Sequence, residues 1–230
     1  MNEKNIESLK ARMVTLGFEP AVESCIRCNA CFMVSSFELS MPKRIGNDRY
    51  HFSVHVERNE KEMYDARYYA AVLRKEIIVP AGLLSLDLSM GAIDWGIIAD
   101  GKFRVMDISA ASILKVADVL QQLNLLGPDA DLLKFKYWSG TSLESSIEHL
   151  AVLKSEWEIA ERFYLFDDGQ VISFADAIRY LNSKWMEKQF VVKRKLLVKR
   201  ERTDKTSAGA PVGKLLTKNP RRNSRRVDKT

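Results

Sequence analysis

The sequence predicts an α+β protein. N-terminal helices lead into a β-hairpin or meander, a mainly helical second half carries one further short hairpin, and the C-terminus is a disordered basic tail. Three observations carry this reading. Apolar residues recur at helical spacing near the start, residues 49–58 (RYHFSVHVER) alternate with period two, and large apolar residues nearly vanish after Glu201. The expected division is a helix and hairpin module at 1–80, a mainly helical module at 81–200 ending in a long basic helix, and the tail at 201–230. A chain of 230 residues, 46% hydrophobic and 29% charged, is long enough to bury a substantial core.

Ile6, Leu9, Met13 and Leu16 place a first helix before Gly17, a natural stop. Pro20 suits the first turn of a second helix, AVESCIRCNACF, because its missing N–H has no partner there. Phe37–Lys43 alternates loosely, IGND at 45–48 is turn chemistry, and Tyr50, Phe52, Val54 and Val56 then share one strand face. His51, Ser53, His55 and Glu57 share the other face, and a further strand is expected at Tyr68–Lys75 or Glu76–Val79. LLSLDLSM alternates like a strand, yet Leu84, Leu88 and Trp95 also fit a helical face.

Ser109 can cap a helix running to about Leu126, with Ile113, Val116, Leu120 and Leu123 on its buried side and Gly127–Pro128 as the stop. Another helix is expected from Ser142 through EHLAVLKSEWEIAERF, followed by a hairpin, RFYLF-DDGQ-VIS, around Asp168–Gly169. Ser173, with Asp176 three residues on, opens a long helix whose apolar face is Phe174, Ile178, Leu181 and Trp185. The tail, ERTDKTSAGAPVGKLLTKNPRRNSRRVDKT, cannot bury enough surface to offset its ordering entropy, so disorder is expected.

The N-terminus, MNEKNIESLK, has neither the basic nor the apolar region of a secretory signal. The longest apolar stretches are broken by Pro80 and Gly82 and fall short of the roughly 20 residues of a spanning helix. With clustered thiols, this points to a cytoplasmic protein without a transmembrane segment.

All three cysteines lie in SCIRCNACF, as Cys25, Cys28 and Cys31. The run begins like a ferredoxin motif, but Ser35 and Ser36 stand where a fourth cysteine and a proline would follow. A zinc site could combine Cys28 and Cys31 with His51 and His55, although the gap of nineteen residues exceeds finger spacing. The preferred reading packs the thiols as an apolar helical stripe with Val22 and Phe32, leaving both histidines on a solvated strand face. No cofactor is implied.

His149, the third histidine, reads as a helix-surface residue, and Asp167–Asp168 as turn chemistry. YWSGTS at 137–142 reads as a helix cap, and Trp138, Trp157 and Trp185 as core. No nucleophile elbow, P-loop, dinucleotide fingerprint or zincin motif occurs, so no catalytic residues are assigned and no enzymatic role is expected.

Charge is the strongest functional signal. Residues 191–230 hold fourteen Lys and Arg against three acids, a balance of +11 within a net +6, which leaves −5 on the first 190 residues. Lys193, Arg194, Lys195, Lys199 and Arg200 close the last helix, and Arg221, Arg222, Arg225 and Arg226 form a second cluster. Arginine forks match phosphate geometry, and basic segments fold on binding, so the expected partner is a DNA or RNA phosphate backbone contacted without base specificity. The alternative is an adaptor whose tail docks an acidic protein, and the third reading is a small metal-binding protein built on the cysteines.

Two stretches, MNEKNIESLK…LGF and NEKEMYDARYYAAVLRK, carry a resemblance. Over roughly the first 80 residues the chain resembles uncharacterised accessory proteins of conjugative and other mobile elements of Bacteroidetes. These open with a similar helix ending in Gly-Phe and continue through a hairpin to an aromatic-rich strand. Glu62-Met63-Tyr64 and Tyr68 match part of that strand's pattern. The resemblance implies a host context and no catalytic residues.

Overall fold

The computed structural model describes residues 2–99, 109–165 and 171–207, the last twelve of them by backbone alone. It is an α+β protein. Helices α1 (Glu3–Leu16) and α2 (Val22–Cys31) precede strands β1 (Ser36–Ile45), β2 (Asp48–Arg58) and β3 (Tyr64–Arg74). A helical insertion follows: α3 (Leu84–Gly91), α4 (Trp95–Ala99), α5 (Ala110–Leu126), α6 (Asp131–Trp138) and α7 (Leu150–Trp157). The chain returns through β4 (Glu158–Tyr164) and ends its described part in α8 (Phe174–Ser207). The four strands form one antiparallel sheet in the order β1-β2-β3-β4.

Local chemistry explains the frame. Asn2 caps α1 by accepting from the Asn5 N–H, and Gly17 ends it at φ 121, a conformation that disfavours a side chain. A β-carbon at Gly17 would also meet Phe174 Cδ2 at 3.2 Å. Asn5 then locks α1 to the sheet, donating to the Tyr64 carbonyl at 2.9 Å and accepting from the Tyr64 N–H at 2.8 Å. The β1–β2 hairpin turns at Gly46, which adopts φ 60. Ser173 caps α8: its hydroxyl donates to Asp176 at 2.7 Å and accepts from the Asp176 N–H at 3.2 Å.

One sheet face carries Tyr50, Phe52, Val54, Val56, Tyr69, Ala71 and Leu73, all buried under α1, α2 and the first turns of α8. Phe174 and Leu181 are buried there, and Ile178 and Trp185 pack against the same core, so the expected face of α8 is the observed one. A second core fills the insertion around Met90, Trp95, Leu123, Leu133 and Phe135. The chain divides between Met186 and Glu187, inside α8. β4 and the start of α8 complete the core begun by the first 80 residues.

Several elements differ from expectation. LLSLDLSM is helical and buries Leu86 and Met90, whereas Leu84 and Leu88 face out. α5 begins after its Ser109 cap as expected, but Val119 and Leu123 are buried while Ile113 and Leu120 are exposed. The latter two line a groove of about 840 Å³ with Leu88 and Ile97. The expected helix from Ser142 is a 3-10 turn, then α7, then strand β4. β4 pairs with β3, and Val171–Ser173 form no strand, so the second hairpin is replaced by closure of the main sheet. The DDGQ turn lies outside the described residues. α8 continues to Ser207, so the first seven residues of the expected tail are helical, and residues 208–230 lie outside the described part.

Candidate nucleic-acid interface

The part of α8 beyond Met186 is a basic helix. Glu187–Ser207 holds eight Lys and Arg against three acids. At 1.5 Å per residue it extends about 30 Å. Lys193, Arg194 and Lys195 are exposed, and none has a carboxylate within 4.0 Å among the described residues. Phe190, Val191 and Val192 are exposed beside them. Lys199 and Arg200 continue the same helix. Arg221, Arg222, Arg225 and Arg226 lie outside the described residues.

The cysteines are not core residues. Cys25, Cys28 and Cys31 are all exposed, while Ile26 and Ala30, four apart, fill the α2 side of the core. Burying isoleucine removes more apolar area from water than burying a thiol, and that decides which stripe of α2 turns inward. Alkylation with iodoacetamide in native buffer is therefore expected to modify all three thiols without unfolding. Mass spectrometry showing a thiol modified only in denaturant would contradict this placement.

The histidines are elsewhere. Ile26 and Ala30 bring α2 onto the covered sheet face beside Val54 and Val56, whereas His51 and His55 project from the opposite face. His51 Nε2 lies 3.1 Å from Ser40 Oγ, and His55 Nε2 lies 3.1 Å from Glu57 Oε1. The sheet thus stands between the pairs proposed as a zinc site. Among the described residues no group of three or more His, Cys, Asp or Glu is placed to hold a metal ion.

His149 precedes α7 and is not a helix-surface residue. Its N–H and Nδ1 approach Asp131 Oδ2 at 3.0 and 2.9 Å, and Lys134 approaches Asp131 Oδ1 at 3.1 Å. Asp131 is the only charged residue fully buried among those described. Burial pushes its carboxyl up, but the bonds from His149 and Lys134 outweigh burial and hold it below the ordinary value. This cluster ties α6 to α7. Trp138 is buried, and Trp157 and Trp185 pack against their cores, as expected.

The open sheet face has a layout that the sequence does not announce. Register aligns Ser40, Ser53, Ala70 and Arg162 across the four strands, and Tyr68 with Tyr164 one step along. A bulge opposite Val54–Val56 places Arg67 and Tyr68 consecutively outside, between buried Ala66 and Tyr69. The Tyr68 and Tyr164 ring centroids are 6.3 Å apart, and the Arg162 guanidinium lies 4.3 Å over Tyr68. At the other end Arg44 pairs with Arg49, and Arg49 with Arg74. Arg74 is neutralised by Glu158 and lies over the Phe135 ring, and Arg49 donates to the Lys136 carbonyl at 3.4 Å, so α6 covers this end of the face. Arg49 is held below its ordinary value by burial and by the neighbouring Arg74 and Arg44 charges.

Among the described residues no helix is long and apolar enough to cross a membrane. Comparison with protein-family models, curated proteins and solved structures finds no match to this chain.

Proposed function

We propose that this chain is a non-enzymatic, cytoplasmic accessory protein of a mobile element that grips nucleic acid, without base preference, through the basic end beginning at Lys193. The observation that carries the reading is the exposed Lys193-Arg194-Lys195 run, which has no acidic partner among the described residues of a helix already rich in cations. Phosphates supply the missing counter-charge, and an extended helix can lie along a backbone without reading bases. The mobile-element context rests on the N-terminal resemblance.

Contacts by about five to eight cationic side chains predict a slope of log K against log salt for duplex DNA of about −4 to −7. Removing residues 201–230 should flatten that slope by about three to four, and replacing Lys193, Arg194 and Lys195 with alanine should remove most of the rest. Gel-shift titrations at two salt concentrations, on the full chain and both variants, read this directly. Equal binding by all three proteins would remove the basic end from the mechanism.

The exposed Phe190, Val191 and Val192 favour a second reading, an adaptor that docks an acidic protein on the same helix. It predicts no appreciable nucleic-acid binding at physiological salt, together with helix-dependent recovery of a partner that survives nuclease treatment.

A further inference from the structure

We infer that the open face of the sheet is a stacking platform for single-stranded nucleic acid, with Tyr68 and Tyr164 receiving bases and Arg44, Arg49, Arg67 and Arg162 receiving phosphates. None of these six residues belongs to the basic helix.

The aromatic residues come first. β3 and β4 each place two neighbouring aromatics on opposite sides of the sheet, Tyr68 and Tyr69 on β3 and Phe163 and Tyr164 on β4. Tyr69 and Phe163 stack at 5.1 Å in the core, while Tyr68 and Tyr164 sit opposite each other on the outer face. The outer pair adds nothing to the core, and Tyr164 is 54% exposed. An outward aromatic pair offers ring faces, and unpaired bases are the polymer groups that stack on them. The bulge gives the same end of the face a cation, because it leaves Arg67 beside Tyr68. Arg162, 4.3 Å over the Tyr68 ring, is pre-ordered by a cation–π contact and keeps its fork for an anion.

One row of the face is low: Ser40, Ser53 and Ala70 line up across β1, β2 and β3 and lead to Arg162 on β4. The neighbouring row holds Pro42, His51, Val72 and Ala160, with His51 Nε2 3.1 Å from Ser40 Oγ. Four strands at ordinary spacing are about 15 Å wide, room for a few nucleotides. Charge completes the match. Arg44 and Arg49 are directly opposed like charges, an arrangement that costs stability unless an anion joins them. Burial and its arginine neighbours depress Arg49, which points the same way. None of the four proposed arginines has a carboxylate within 4.0 Å among the described residues. The acids on this face are Glu38, Glu57, which is bonded to His55, and Glu158, which is paired with Arg74, and Asp65 at the edge is held by Arg12 at 3.2 Å. A duplex hides its base faces, so it gains nothing from the tyrosines. A single strand gains from both tyrosines and arginines.

The test uses the full chain and fluorescent oligonucleotides about a dozen nucleotides long, single-stranded and duplex, read by anisotropy at fixed salt. The Tyr68→Ala/Tyr164→Ala variant should bind the single strand about tenfold or more weakly and the duplex unchanged. The Tyr68→Phe/Tyr164→Phe variant, which keeps both rings, should bind like the parent. Alanine at Lys193, Arg194 and Lys195 should weaken both forms together, so failure of the basic-end reading is seen apart from failure of the platform. Ultraviolet cross-linking of the unaltered protein gives a readout independent of variant folding, and peptides containing Tyr68 or Tyr164 should carry the nucleotide. Equal single-strand affinity with and without the two rings, equal losses on both nucleic acids, or cross-links confined to residues 187–230 would overturn the proposal.

Discussion

Phe174→Ala is expected to destabilise the protein by about 3–5 kcal/mol, the cost of removing a fully buried aromatic. Phe174 is 2% exposed, and it stacks on Phe52 at 4.2 Å and meets Phe18 and Tyr69 edge-on at 5.2 Å each. Those partners belong to β2, the segment after α1, and β3, so one ring joins three parts of the chain to the start of α8. Aromatic pairs contribute beyond their buried area, and the cavity left by alanine has sheet on one side and helix on the other, with little freedom to collapse. Total stabilities of about 5–15 kcal/mol make this a large fraction. Urea unfolding followed by circular dichroism should show the midpoint falling by about 2 M at an ordinary denaturant slope. A cost below about 1 kcal/mol would mean that the cluster does not hold α8 to the sheet.

The second large effect belongs to Asp131. Asp131→Ala should cost about 3 kcal/mol, because the His149 N–H, the His149 ring and the Lys134 ammonium lose their common acceptor. Asp131→Asn should cost less, since one acceptor oxygen survives. The carboxyl also gives a pH signature. Burial raises its pKa, the three bonds lower it more, and the net value lies below the reference of 3.8. A group depressed in the folded state contributes stability that is complete above its unfolded pKa and is lost as pH falls through the folded one. The parent should therefore lose this contribution below about pH 4, whereas Asp131→Asn should lack that component. Identical acid profiles for the two proteins would contradict the assignment.

What the sequence made legible was local. The caps at Ser109 and Ser173, the stop at Gly17 and the alternation of β2 each depend on residues within one turn or one strand, and each is found where expected. Where apolar residues surround a helix, periodicity does not choose a face: α5 offers Ile113, Val116, Val119, Leu120 and Leu123, and contact with the insertion core selects Val119 and Leu123. The same competition on α2 favoured Ile26 over its cysteine neighbours. EIAERFY reads as a helix until β3 supplies a partner, and α6 was not anticipated at all because its short apolar run has no cap of its own. The basic end was visible as composition. The open-face arginines and tyrosines were not, because each strand contributes only one or two of them and cross-strand register alone assembles the set.

The helical insertion between β3 and β4 has a kinetic consequence. Arg74 and its ion-pair partner Glu158 are 84 residues apart, whereas β1 and β2 meet across a tight turn at Gly46. Closing the longer loop costs about 3 kcal/mol more chain entropy, a debt settled only once the insertion has folded on itself and shortened the distance its ends must search. The three-strand meander can form as soon as it leaves the ribosome, and β4 must arrive late. Until it does, β3 is an uncovered edge with free backbone groups, and the outer tyrosines stay unpaired on opposite sides of the gap. Any surface that needs both Tyr68 and Tyr164 therefore comes into being with the last strand, so a chain stalled before residue 158 would hold most of its first core and none of that surface.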